Sequence, residues 1–357
     1  MDFGNSNLDN ETTDNISKKL QHHKITMAQI DPFSYCNSKC WYCPVAYIPN
    51  PRYAVKHMPI DLLRKIISDL VEEKNQDNGI VSENFNFIYT GHYNEILLYK
   101  YFKDMLDLLR EFNIKTIILS NGVPLTREKT DIITQYEDVV TGICLNIPAF
   151  DEETWTKRTG MNNKIFSKLI DNIKYAVQRL PDMVASRQFS IQINGVNKNS
   201  FIENGGWLER GQKFPQDIDL DPQYGELKTQ ENLAKSHFPG VNIYTVPSLI
   251  DRAGLLDRAG IMSNKRAIDI HLKKDKKVVI GCHNGFEVGG RVFGWLHVNS
   301  VGQAFLCCSD YNFGYVFGDF NTQTLREIWF SDLHKQVIQK AFKEICIDCT
   351  SSEWAYE

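Results

Sequence analysis

Short apolar runs alternate with longer amphipathic segments from about residue 25 onward. Residues 25–30 read as a short buried strand. Leu62, Leu63, Ile66, Ile67, Leu70 and Val71 then recur every three to four positions, which predicts an amphipathic helix. The same alternation predicts strands over 85–89, 116–119, 139–147, 189–196 and 241–246. Helices are expected over 98–112 and 164–180. Strands alternating with helices imply parallel βαβ units. The six units fall short of the eight that close a (β/α) barrel. The expected fold is therefore α/β: a partial, TIM-like (β/α)6 barrel, open on one side, over residues 25–250.

Outside that span the pattern changes. Residues 1–24 are dominated by Asn, Asp, Ser and Thr without apolar periodicity, and read as a flexible lead. Lys18, Lys19, His22, His23 and Lys24 in it read as a solvated basic face. After about residue 250 glycine becomes frequent and helices scarce, so 251–357 reads as a smaller α+β domain. Gly289-Gly290 lacks the strand–turn–helix setting of a phosphate loop.

Composition narrows the class. Of 357 residues, 42% are hydrophobic and 24% charged, as in a globular protein with a real core. No run approaches the roughly 18–20 apolar residues of a membrane span. The acidic, polar N-terminus lacks the basic start and apolar run of a secretory signal, so the expected location is the cytoplasm. A net charge of −4 gives no electrostatic support for nucleic-acid binding. In a reducing compartment the clustering of most of the nine cysteines argues for metal chemistry rather than disulfides. Cys144, isolated in an apolar run, reads as a core residue.

Cys36, Cys40 and Cys43 have the spacing C-x3-C-x2-C just after the first strand. Three thiolates on one tight loop can hold three irons of a [4Fe–4S] cube and leave the fourth iron open. Electron-transfer clusters instead close their shell with four cysteines, and structural zinc also takes four ligands. With Tyr42 at the aromatic position before Cys43, the segment resembles the signature of the radical S-adenosylmethionine (SAM) superfamily. That resemblance implies a cluster whose open iron chelates SAM. It further implies reductive cleavage of SAM to a 5′-deoxyadenosyl radical, which abstracts a hydrogen atom from substrate. The cofactor carries the hard chemistry, and the protein supplies position and exclusion of water.

The resemblance extends along the barrel. Gly91 and Glu95 stand where the family has a Gly-Gly-Glu-Pro turn, with Tyr93-Asn94 before the Glu and Ile96 in place of Pro. Glu95 is thus expected to accept from the SAM ammonium. Ser120-Asn121-Gly122 resembles the family's Thr-Asn-Gly turn, which gives Ser120 a contact with SAM ribose or carboxylate. Asn146 ends the fourth strand, and Arg158 after it is a candidate clamp for the SAM carboxylate. Val196, at the end of the fifth strand, is expected to pack on adenine.

The distal cysteines resemble the auxiliary-cluster domain of the SPASM/twitch type. The matching elements are a lone Cys282, Gly302-x4-Cys307, Leu325-x-x-Ile328-Trp329 and Cys346-x2-Cys349. Cys282, Cys307, Cys346 and Cys349 then supply four ligands for one auxiliary [4Fe–4S] cluster. Cys308 can take the place of Cys307, and structural zinc on the four thiolates is the competing reading. The implied enzyme abstracts hydrogen and oxidatively modifies a peptide or protein. It would be served by an electron donor such as flavodoxin or ferredoxin. Dehydrogenation of a small sugar or aminocyclitol alcohol is the alternative, and a non-catalytic iron–sulfur or zinc scaffold a third. Many peptide-modifying members add a leader-binding domain, and only about 25 residues precede the barrel here.

Overall fold

The computed structural model describes residues 6–40, 55–91, 94–194, 224–246, 277–282, 290–310, 313–347, 349 and 352–356. Its centre is a sheet of six parallel strands in chain order: β1 (Met27–Ile30), β2 (Phe87–Tyr89), β3 (Lys115–Ser120), β4 (Val140–Asn146), β5 (Phe189–Asn194) and β6 (Asn242–Val246). Burial alternates along β3 and β5. Ile118, Ile191 and Ile193 lie in the apolar core, while Leu119, Gln192 and Asn194 on the other face stay partly exposed. That two-residue period separates a helix-covered outer face from a concave inner one.

Three of the helices form where apolar periodicity predicts, over 60–74, 102–111 and 164–179, and the others were not predicted. After α1 (Ser6–His22) come α2 (Ile60–Lys74), α3 (Phe102–Glu111), α4 (Arg127–Thr134), α5 (Glu152–Thr159), α6 (Lys164–Arg179), α7 (Pro181–Ala185) and α8 (Tyr224–His237). Asp151 caps α5 by accepting from the Thr154 N–H, and Gly160 ends it at φ +64°, a left-handed stop that favours glycine.

Two features depart from the sequence expectations. Residues 6–22 are not a flexible lead: α1 buries Ile16 and Leu20 in the common core. Lys19, expected on a solvated face, donates through Nζ to the Ile280 carbonyl at 2.6 Å. Two apolar residues four apart suffice to dock a helix, too few to register as a stripe.

The second departure concerns the C-terminal region, which continues the barrel sheet. Beyond β7 (Lys277–Cys282) and the short α9 (Gly290–Gly294), β8 (Trp295–Val298) pairs in parallel with β1. The antiparallel strands β9 (Gln303–Phe305) and β10 (Val316–Asp319) extend the sheet to nine strands. α10 (Leu325–Trp329) and α11 (Asp332–Lys343) follow, and β11 (Ser352–Tyr356) returns to pair antiparallel with β7. α11 packs on α1, and α10 packs on α2. There Arg326 grips Glu73 with two donors, at 2.8 and 2.6 Å. Among the described residues no helix is long and apolar enough to cross a membrane.

Candidate active site

The loop after β1 carries Cys36 and Cys40, both partly exposed. Three neighbours hold it. The Glu95 N–H donates to the Tyr35 carbonyl at 3.0 Å. The Lys39 N–H donates to the Thr159 carbonyl at the end of α5 at 2.9 Å, and Ser38 Oγ reaches the same oxygen at 3.4 Å. Asn121, just past β3, donates through Nδ2 to Asn37 Oδ1 at 2.8 Å and to Cys36 Sγ at 3.7 Å. The Val123 N–H donates to its Oδ1, which fixes the amide's orientation. Ser38 Oγ also lies 2.9 Å from Cys40 Sγ. Cys43 and Tyr42 lie outside the described residues.

Glu95 organises this corner from inside. Its carboxylate, 1% exposed, accepts from Ser120 Oγ at 2.9 Å, the Asn121 N–H at 2.8 Å and the Leu97 N–H at 3.3 Å. Burial pushes its pKa up to about 7, against the pull of those three donors. Ser120 is buried, and its hydroxyl also accepts from the Gly122 N–H at 2.9 Å. Arg158 is buried too and donates to the Pro148 carbonyl at 2.8 Å.

These three residues, expected to touch SAM directly, are buried and hydrogen-bonded to the protein's own groups. Each polar group is buried where desolvation must be repaid by internal partners, and the nearest lie on adjacent loops. Among the described residues expected at SAM, Asn146 alone points its amide along the concave face, where Asn194 Nδ2 donates to Oδ1 at 3.1 Å. Val196 lies outside the described residues. Asn121 is the residue that sequence reasoning undervalued; its place in the Ser-Asn-Gly turn was its only signal.

The concave face continues as a neutral hydrogen-bonded row. Gln192 Nε2 donates to Asn194 Oδ1 at 2.6 Å, and Tyr244 Oη donates to Gln192 Oε1 at 3.0 Å. Tyr244 Oη also lies 3.2 Å from Cys144 Sγ. Cys144 is therefore not a plain core residue: it is partly exposed and paired to a phenol. Across β1, Tyr89 of β2 stacks on Trp295 of β8 at 5.9 Å between ring centroids, and Trp295 on His297 at 5.8 Å.

A second thiol group gathers at the far end of the chain. Cys282 ends β7, Cys307 and Cys308 follow β9, and Cys346 and Cys349 follow α11. Cys308 and Cys346 are buried, the others partly so. Burial pushes the thiols of Cys307, Cys346 and Cys282 up, and neighbouring thiols push the same way. Cys307 feels Cys282, Cys308, Cys346 and Cys349 together. A set of soft donors that repel one another as thiolates suits iron–sulfur or zinc binding. Among the described residues no three His, Cys, Asp or Glu side chains stand at the spacing of a single-ion site.

Two family models match. The radical SAM superfamily model covers residues 30–204, and the iron–sulfur cluster-binding SPASM domain covers 290–350. The chain belongs to the radical SAM superfamily, with a C-terminal SPASM domain. It is a radical SAM enzyme that binds SAM, a SAM-cleaving [4Fe–4S] cluster and an auxiliary iron–sulfur cluster.

The solved structures of SuiB agree in fold. SuiB of Streptococcus suis bound to SAM shares 15% identity at TM-score 0.53, covering 93% of this chain and 73% of that one. SuiB bound to its precursor peptide SuiA shares 16% at TM-score 0.53, with 95% and 73% covered. BtrN in complex with AdoMet and 2-DOIA shares 17% at TM-score 0.47, with 90% and 87% covered. No curated protein matches the chain by sequence.

Proposed function

We propose that this radical SAM enzyme abstracts a hydrogen atom from a peptide or protein substrate, in a reaction that leaves the substrate oxidised. Cys36, Cys40 and Cys43 ligate the SAM-cleaving cluster, and Cys282, Cys307, Cys346 and Cys349 the auxiliary one. When bound, the first cluster would supply the electron that cleaves SAM to methionine and the 5′-deoxyadenosyl radical, and the second would accept the electron that the substrate radical gives up with its proton. The observation that carries this reading is that Cys282, Cys308, Cys346 and Cys349 all act on Cys307, a grouping that suits an internal electron acceptor.

The chain's own residues position and enclose. Glu95 and Ser120 fix the turn that carries Asn121, and Asn121 sets an amide N–H at Cys36 Sγ. Hydrogen bonds to cluster sulfur, like other contacts around metal ligands, orient the ligand and tune potential. The residue 38–40 segment is tied down at Thr159. On the concave face Asn146, Asn194, Gln192 and Tyr244 offer neutral donors and acceptors that suit the amides of a peptide backbone. A precursor peptide bound to the same fold in SuiB supports that choice. A small carrier such as flavodoxin or ferredoxin delivers the reducing electron.

The test is anaerobic reconstitution followed by reduction with SAM. The intact chain is expected to hold about eight irons, as two four-iron clusters require, and to release 5′-deoxyadenosine. A Cys36→Ala chain is expected to release none. Equal release from both, or about four irons in the intact chain, would sink the two-cluster assignment. Co-expression with short peptides encoded beside the gene should yield a peptide lighter by two hydrogen atoms; an unmodified peptide would remove the substrate class.

A further inference from the structure

The auxiliary thiol group contains a cation. Arg291, in α9, is 8% exposed, and its Nη1 donates to Cys308 Sγ at 2.8 Å. Its guanidinium carbon lies 5.4 Å from the centroid of the Trp295 ring. Gly290 makes this approach possible. It adopts φ +56°, and a Cβ there would lie 1.9 Å from the Cys282 carbonyl oxygen. The chain thus gives up a side chain to bring Arg291 against the cysteines.

A guanidinium cannot shed its charge in a protein, and burying it unpaired costs several kcal/mol. Its surroundings must therefore be anionic when the protein is loaded. Beyond β9, Cys307 and Cys308 enter a turn closed by the Asp310 N–H on the Cys307 carbonyl at 2.9 Å. Cys308 accepts from the arginine, and the thiols that act on Cys307 are Cys308, Cys346, Cys349 and Cys282.

We propose that Arg291 is the built-in counter-charge of the auxiliary site, and that by engaging Cys308 it leaves Cys307 as the ligand. This rests on the assignment of the auxiliary cluster to the distal cysteines. A fixed positive charge beside an anionic cluster favours the form with one more electron. Arg291 therefore raises the cluster's reduction potential and makes it a readier electron acceptor.

The test uses the full-length chain carrying Cys36→Ala, Cys40→Ala and Cys43→Ala, reconstituted so that only the auxiliary cluster remains. It is read by iron content and by redox titration of the reduced cluster's electron paramagnetic resonance signal. At the potential that half-reduces this parent, Arg291→Met is expected to lower the reduced-to-oxidised ratio about tenfold, a negative shift of about 59 mV. Arg291→Lys should recover most of it. Cys308→Ser should keep full iron, and Cys307→Ser should lose it.

An unchanged potential in an iron-replete Arg291→Met chain overturns the inference. If Arg291→Met does not load iron, the potential of Arg291→Lys and the two serine variants decide. A Lys variant with the parent's potential supports the counter-charge, and one shifted as far as loss of charge would require overturns it. Iron lost from Cys308→Ser and kept in Cys307→Ser also overturns it. A parent without iron would remove the auxiliary-cluster assignment and this inference together.

Discussion

Glu95 is a carboxylate with three donors and almost no contact with water. Its folded pKa of about 7 exceeds its ordinary value of 4.5, so the folded chain holds a proton that the unfolded chain releases between those values. Stability should therefore fall as pH rises from about 4.5 to about 7 and level off above, a loss of at most about 3 kcal/mol. Glu95→Gln should flatten that dependence in urea unfolding curves taken across this range. A pH profile parallel to the parent's would mean the carboxylate is ionised throughout. The cysteine spacing was legible in the sequence because three ligands on one loop are a local pattern. The inward turn of Glu95, Ser120 and Arg158 was not, because their partners come from other loops. Cys144 reads as core from its apolar neighbours, and nothing near it in sequence announces Tyr244, the phenol beside it.

At the scale of elements, the helices and parallel strands follow their periodicity closely, since one face of each is buried. α1 escaped notice because its burial rests on Ile16 and Leu20 in an otherwise polar segment, and its partner α11 lies at the other end of the chain. Ile16→Ala and Leu20→Ala should each cost about 2–4 kcal/mol. The measurement is anaerobic chemical denaturation, with trypsin cleavage around Lys18 and Lys19 as a second readout. A change under about 0.5 kcal/mol, within the range of surface substitutions, would mean that α1 is dispensable. Because Lys19 holds the Ile280 carbonyl two residues before Cys282, loss of α1 should also loosen the auxiliary site.

At the scale of the whole molecule, the barrel and the C-terminal region share one sheet. β8 completes the free side of β1. On the outer surface α10 is fastened to α2 through Arg326 and Glu73, through Lys65 Nζ on the Gln323 carbonyl, and through the Leu325 N–H on Asp69. The chain should unfold in one transition, with tryptophan fluorescence and the visible absorbance of the clusters lost together. Two separated transitions would show that the regions are independent. Sequence periodicity reports that a strand exists and is silent about which distant strand lies beside it, so the C-terminal region reads as a detached domain until the pairing is seen.

The pairing of β1 with β8 also bears on how the enzyme is made. Thr26 and Gly294, hydrogen-bonded where the two strands begin, are 268 residues apart. A growing chain emerges from its N-terminus at about 5–20 residues per second. The strand leading into the first cysteine loop is thus among the earliest made, yet it gains its second neighbour only when β8 emerges. For much of synthesis Cys36 and Cys40 hang from an unfinished edge. The partners that hold the cysteine loop, at Glu95, Asn121 and Thr159, emerge well before β8, so what waits for residues 295–298 is the closing of the strand's second side.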